Sequence, residues 1–112
     1  MIQAQFHRLK NNQINFIEIS GHAESGPYGQ DLVCAAVSAL SIGTINSLTE
    51  LVQLDLEIEM DQENGGYLSA RLPESQTDEQ EQAAQTLLES LLLSLNSVQE
   101  ESPEYIKITQ IK

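Results

Sequence analysis

Residues 54–61, Leu54-Asp55-Leu56-Glu57-Ile58-Glu59-Met60-Asp61, alternate apolar and acidic side chains without a break. A period of two sends every second side chain to the same face of an extended chain. The segment therefore reads as a strand with an apolar face turned inward and an acidic face turned to water. Asn64-Gly65-Gly66 follows, the residue types that accept the positive φ of a tight hairpin turn. Leu68, Ala70 and Leu72 then resume the alternation, so the chain doubles back as an antiparallel partner.

Downstream of this hairpin the period changes. Pro73 to Gln76 is a linker. From about Asp78 to Ser97, Ala84, Leu87, Leu88, Leu91, Leu92 and Leu95 recur at the three- and four-residue spacing of an amphipathic helix, which Val98 continues. Gln99 to Pro103 reads as an acidic loop ended by proline, and Tyr105 to Ile111 as a last strand. Upstream, Asp31 is the expected cap of a long helix reaching about Val52. Its first half, Leu32 to Leu40, is apolar almost all round, which predicts a central helix covered on every side. Gly21 to Gly29, broken by glycines and Pro27, reads as a loop. Residues 2–9 and Ile14 to Ile19 flank an Asn11-Asn12 turn and form a first hairpin. The order β-β-α-β-β-α-β predicts an α+β fold, a mostly antiparallel sheet of about five strands with two helices packed on it. At 112 residues, the chain is expected to be one domain, residues 1–112.

The formal charge of −12, from 17 acidic and five basic side chains, excludes nucleic-acid binding, which needs clustered Lys and Arg against phosphate. Such a surface either simply keeps a small protein soluble, the reading that composition alone favours, or attracts basic partners. No apolar run reaches the ~20 residues that span a bilayer, and the first residues lack the basic, apolar, small-residue order of a signal peptide. One cysteine makes no internal disulfide. The expectation is a cytoplasmic protein with no membrane partner. One Cys and two His do not supply the paired ligands of a closed zinc site, so no metal and no cofactor is expected. The acids of residues 55–61 form a solvated face. Gly21, Gly26 and Gly29 have neither the spacing nor the lysine of a phosphate loop.

His22 and Cys34 remain as candidate chemistry. His22 sits where the second strand is expected to end, and Cys34 in the expected first turn of the following helix. The unpaired N–H groups and positive dipole of a helix start favour a thiolate and an oxyanion. An imidazole within reach takes the thiol proton and returns it to a leaving amine. Asp31 either offsets that dipole or orients His22. Ser38 and Ser41 follow Cys34 on one helix face and either bond carbonyls one turn back or serve the site. His7 is expected to be exposed, and Tyr28 either lines a pocket or anchors the loop. On the residues alone, Cys34 reads first as a packed core thiol, and a redox-sensing thiol is the weaker alternative because the chain has no resolving cysteine.

The segment Gly21-His22-Ala23, Gly26, Gly29, Asp31, Val33-Cys34-Ala35-Ala36-Val37-Ser38 resembles the signature of the ribosomal-processing cysteine protease family Prp. The resemblance implies an endopeptidase that removes the N-terminal extension of large-subunit ribosomal protein twenty-seven, beside a phenylalanine-rich stretch. It implies a homodimer, with His22 as catalytic histidine, Cys34 as nucleophile, and Asp31 and Ser38 as supporting residues. It also implies a flexible loop between the pair, containing Gly21, Gly26 and Gly29. The alternative from another class is a non-catalytic dimeric binding module for a basic ribosomal protein, with Cys34 merely packed.

Overall fold

The computed structural model describes residues 1–21, 28–61 and 66–112, with the backbone alone at 28–31. The elements are β1 (Ile2–Arg8), β2 (Ile14–Ser20), α1 (Tyr28–Glu50), β3 (Glu57–Asp61), β4 (Tyr67–Arg71), α2 (Asp78–Glu101) and β5 (Ile106–Ile111). Their order is the one read from the sequence. All five strands join one sheet in the spatial order β3-β4-β2-β1-β5. Three pairings are antiparallel, and β1 pairs with β5 in parallel, so the sheet is mixed.

Alternation decides which sheet face the helices cover. Ile2, Ala4 and Phe6 of β1, Ile17 and Ile19 of β2, and Leu68 and Ala70 of β4 are buried against the helix layer. The register shifts between His7 and Arg8, and this irregularity keeps Ile14 buried although it lies an odd number of residues from Ile17. From α2 the stripe Ala84, Leu88, Leu91, Leu92 and Leu95 completes the core. Each fully covered leucine contributes roughly 1.5–3 kcal/mol.

α2 is well specified at its start. The Thr77 hydroxyl accepts from the Gln80 N–H at 3.1 Å, and the Gln80 side chain accepts from the Thr77 N–H at 3.0 Å. This reciprocal box satisfies two donors that a helix start otherwise strands. The Gln85 side-chain amide bonds both the N–H and the carbonyl of Ile14 at 2.8 Å, stitching the first hairpin to α2. Arg8 donates two hydrogen bonds to the Glu89 carboxylate at 2.6 and 2.8 Å, and others to Gln110 and the Asn12 carbonyl. The hydrogen bonds from Arg8 hold the Glu89 carboxyl below its usual range, against a smaller opposing effect of burial.

Five expectations change. α1 starts at Tyr28, so Asp31 is the fourth helical residue and not the cap, and Gly29 belongs to the helix instead of the loop. Helical backbone already runs from Tyr28, so the Asp31 backbone is inside the helix and its capping preference goes unused. α1 is not covered on every side: Val33, Val37, Ile45 and Leu48 are buried, while Leu32 is 53% and Ile42 is 36% exposed. Its Leu32–Glu50 stretch, 19 residues of mean hydropathy 1.6, is long and apolar enough to cross a membrane, contrary to the run count. The hydroxyl residues Ser38, Ser41 and Thr44 interrupt the apolar run without making the helix polar. α2 continues to Glu101 through the expected acidic loop, because Val98 extends the apolar stripe and nothing stops the helix before Pro103. Finally, β3 covers residues 57–61 alone, and its inward parity is open: Ile58 is 43% and Met60 51% exposed.

Two stability effects follow. Glu89 has a depressed folded-state pKa, so its pairing stabilises the fold above the ordinary carboxylate range and fades as pH falls through the folded value. Because the Glu89 side chain is 46% exposed, the contribution is at most ~1 kcal/mol. Urea melts of Glu89→Gln should match wild type at acidic pH and fall below it at neutral pH. The last turn of α2 has no basic residue and ends on Glu100 and Glu101, against the helix dipole. Glu101→Lys should therefore raise stability by about 0.3–1 kcal/mol at low salt, with the gain shrinking as salt is added.

Candidate active site

The residues that could perform chemistry meet at the end of the sheet where β2 stops. Strand register aligns Met60 with Leu68, and Leu68 with Ile19, in one row across β3, β4 and β2. Above this row α1 presents Cys34, Ser38 and Ser41, spaced i, i+4 and i+7 and so on one helix face. Between them lies a cavity of about 90 Å³, walled by Ile2, Ile19, Leu68, Val37, Ile42 and Met60. Cys34, Ser38, Ser41, Gly21, Gly66 and Tyr67 supply the rest of its lining. The cavity is thus apolar in its walls, with small polar groups along α1.

Gly21 fixes the mouth of the cavity. Its φ is +78°, and a Cβ at this position would lie 2.5 Å from the Met1 carbonyl oxygen. Only glycine meets both demands without displacing backbone. The Gly21 N–H donates to the Gly66 carbonyl at 2.9 Å, tying the end of β2 to the start of β4. Gly66 also has a positive φ, +82°, as the glycine-rich turn predicted. Beside it, the Tyr67 hydroxyl donates to Glu18 Oε2 at 2.6 Å. That hydrogen bond raises the Tyr67 pKa and holds its side chain on the Glu18 parity of the sheet, the face away from the helices.

Cys34 is half-buried: it packs against the hydrophobic core and also lines the cavity. It is the seventh residue of α1, not a first-turn residue. At 1.5 Å per residue the start of the helix lies ~9 Å upstream, beyond the turn over which a helix dipole acts strongly. The expected help from first-turn amides is therefore weak at this sulfur. His22 and Gly26 lie outside the described residues, as does the side chain of Asp31. Ser38 joins Cys34 in the cavity lining. Ser41 is 1% exposed, and its hydroxyl finds no hydrogen-bond partner among the described residues. Thr44, by contrast, bonds the Leu40 carbonyl at 2.7 Å in the usual way.

His7 is not simply exposed. It is half-buried, its ring meets Phe16 edge-on with centroids 5.0 Å apart, and Nε2 is buried without a partner among the described residues. It lies on the sheet face away from the cavity, because Ala4 and Phe6 take the helix side. Among the described residues, no three His, Cys, Asp or Glu side chains converge to hold a metal. Sequence reasoning missed Met60, Gly66, Tyr67 and Ile42 as cavity residues. The pairing that brings Met60 and Leu68 beneath α1 depends on the strand order, which no local pattern encodes.

The family model for cysteine protease Prp matches residues 1–107. The ribosomal processing cysteine protease Prp of Bacillus subtilis is 35% identical over 109 residues, covering 97% of this chain and 96% of the relative. The crystal structure of SMU.848 from Streptococcus mutans superposes with a TM-score of 0.89 at 39% identity, covering 99% of this chain and 94% of the other. A structure of Staphylococcus aureus Prp, an essential ribosomal processing protease with a covalently linked product peptide, gives 0.82 at 32% identity, covering 98% and 99%.

Gly21→Ala should cost about 1–2 kcal/mol from the left-handed backbone alone, with more from the approach to Met1. Thermal denaturation measures that cost. Turnover should fall further than the lost folded fraction explains, since the mouth of the cavity moves with residue 21.

Proposed function

The chain belongs to the cysteine protease Prp family, and on that premise we propose that Cys34 is its nucleophile and His22 its acid/base partner. The proposed substrate is the N-terminal extension of a large-subunit ribosomal protein, ribosomal protein twenty-seven. One observation carries the assignment: Gly21, the residue before His22, lines the same cavity as Cys34. The backbone leaving Gly21 therefore begins beside the thiol, although eleven residues separate His22 from Cys34 in the sequence.

In the proposed reaction His22 takes the proton from Cys34, and the sulfur attacks the scissile carbonyl to give a tetrahedral intermediate. Its collapse breaks the C–N bond, and His22 gives the proton to the departing amine. Water, deprotonated by His22, then hydrolyses the thioester and restores the thiol. With the helix start ~9 Å upstream of Cys34, the imidazole carries most of the activation. Ser38, one turn after Cys34 in the cavity, and Asp31, three residues before it in α1, are proposed supporting residues. Gly21 holds the fixed end of the segment bearing His22, and Gly26 and Gly29 lie farther along it.

The reading extends to context. A charge of −12 suits a basic ribosomal protein as substrate and disfavours nucleic acid. Ribosome assembly places the work in the cytoplasm, where a single 1–112 domain suffices, with no cofactor. We assign a homodimer, supported by the apolar residues that the protomer leaves in water: Leu32 at 53%, Ile42 at 36% and Leu93 at 71% exposure.

The test is a peptide spanning the extended N-terminus of the ribosomal protein, incubated with enzyme and followed by mass spectrometry. Wild type should cut once, Cys34→Ala not at all, and His22→Ala about 10²–10⁴-fold more slowly. Iodoacetamide should label Cys34 faster than it labels free cysteine, and more slowly once His22 is replaced. Identical cleavage by Cys34→Ala would refute the assignment and leave the binding module as the better account.

A further inference from the structure

We infer that Ser41 is a specificity residue of the substrate pocket: its buried hydroxyl hydrogen-bonds the tip of one slender, neutral substrate side chain of the glutamine type. The inference deepens the protease reading and rests on it, because the pocket is the one that Cys34 lines.

A serine or threonine inside a helix usually turns its hydroxyl back to a carbonyl one turn earlier. Thr44 does so, bonding the Leu40 carbonyl at 2.7 Å. Ser41 does not. The residue is 1% exposed, its oxygen is buried, and no group among the described residues pairs with it. A hydroxyl in this state has given up water and gained nothing in return, so alanine would suit the free protein at least as well. An orphan of this kind calls for an explanation outside the packing. Its position supplies one, since Ser41 lines the same cavity as Cys34 and Ser38. Ser38 is exposed and Cys34 half-buried, so Ser41 is the deepest of the three polar groups that α1 gives the lining.

Distance, polarity and size select the group that Ser41 meets. Ser41 follows Cys34 by two helical turns, ~10 Å along the axis, which an extended peptide covers in about three residues. The side chain therefore belongs to a residue within about three positions of the scissile bond. Ile2, Ile19, Val37 and Leu68 wall the cavity, so the stem of that side chain is apolar. No Asp, Glu, Lys, Arg or His is among the described lining residues, so a charged tip would be buried without a counter-ion. The cavity holds about 90 Å³, well below the ~150 Å³ of one that takes a benzene ring, which favours an unbranched chain over an aromatic one. Glutamine has this shape: a short apolar stem, then an amide that both donates to and accepts from a hydroxyl.

Fluorescent peptides spanning the cleavage site test this, each carrying glutamine or its near-isostere methionine at one position close to the scissile bond. They are titrated by anisotropy against Cys34→Ala and against the double variant that adds Ser41→Ala. At one position the glutamine peptide should bind Cys34→Ala about 3–10-fold more tightly than the double variant, as one net hydrogen bond implies. The methionine peptide should bind the two proteins alike, and the other positions should show no such coupling. Ser41→Ala alone should melt at or above the wild-type temperature, because the free protein loses no hydrogen bond. Coupling at no position, or a Ser41→Ala protein that melts clearly below wild type, would overturn the role of Ser41. Cys34-dependent cleavage without coupling removes that role and leaves the protease reading standing. Coupling in binding without any cleavage by wild type does the reverse.

Discussion

The hydrogen bond from the Gly21 N–H to the Gly66 carbonyl is the constraint on which the site depends. It closes β2 against β4 at the point where the chain leaves the sheet. It also requires a left-handed residue that passes close to the backbone of Met1, so three separate parts of the chain are fixed relative to one another there. α1 lies across this corner and adds Cys34, Ser38 and Ser41 from a single face. Among the described residues, the cavity is thus built at a stretch of backbone where only glycine fits. Loss of the glycine would damage the corner before it touched the chemistry.

Cys34 shows how one residue answers two descriptions. It packs against the core and lines the cavity, so contact with the core does not shut it off from the cavity. Its place in the second turn of α1 changes the balance of forces. A sulfur at the first turn would draw on the dipole and on several unpaired amides. Six residues farther in, it draws little from either, so the proposed activation of its thiol rests on a partner from elsewhere in the chain.

Much of the architecture was legible because period is a local property. The alternation through residues 54–61 identified β3 and its hairpin, and the leucine spacing after Asp78 identified α2. The boundaries and the environment were harder. The start of α1 was read at Asp31 from its capping preference, but the helix already begins at Tyr28. Ile58 and Met60 read as core because their parity is apolar, yet the edge position of β3 leaves them in water. That position is set by pairing between distant segments, as is the parallel contact of β1 with β5. For the site, the sequence pointed to Cys34 and Ser38, which the cavity brings together, while the lining contributed by Met60 and Tyr67 was not readable from any local pattern.

The parallel pairing of β1 with β5 reaches beyond the architecture. Ile2 lies opposite Ile106, and Ile2 is also a wall of the cavity. The first strand thus acquires one of its two neighbours from residues 106–111, far along the chain. Until that distant segment is in place, β1 keeps a raw side, and the wall that Ile2 lends the cavity has only half of its lateral support.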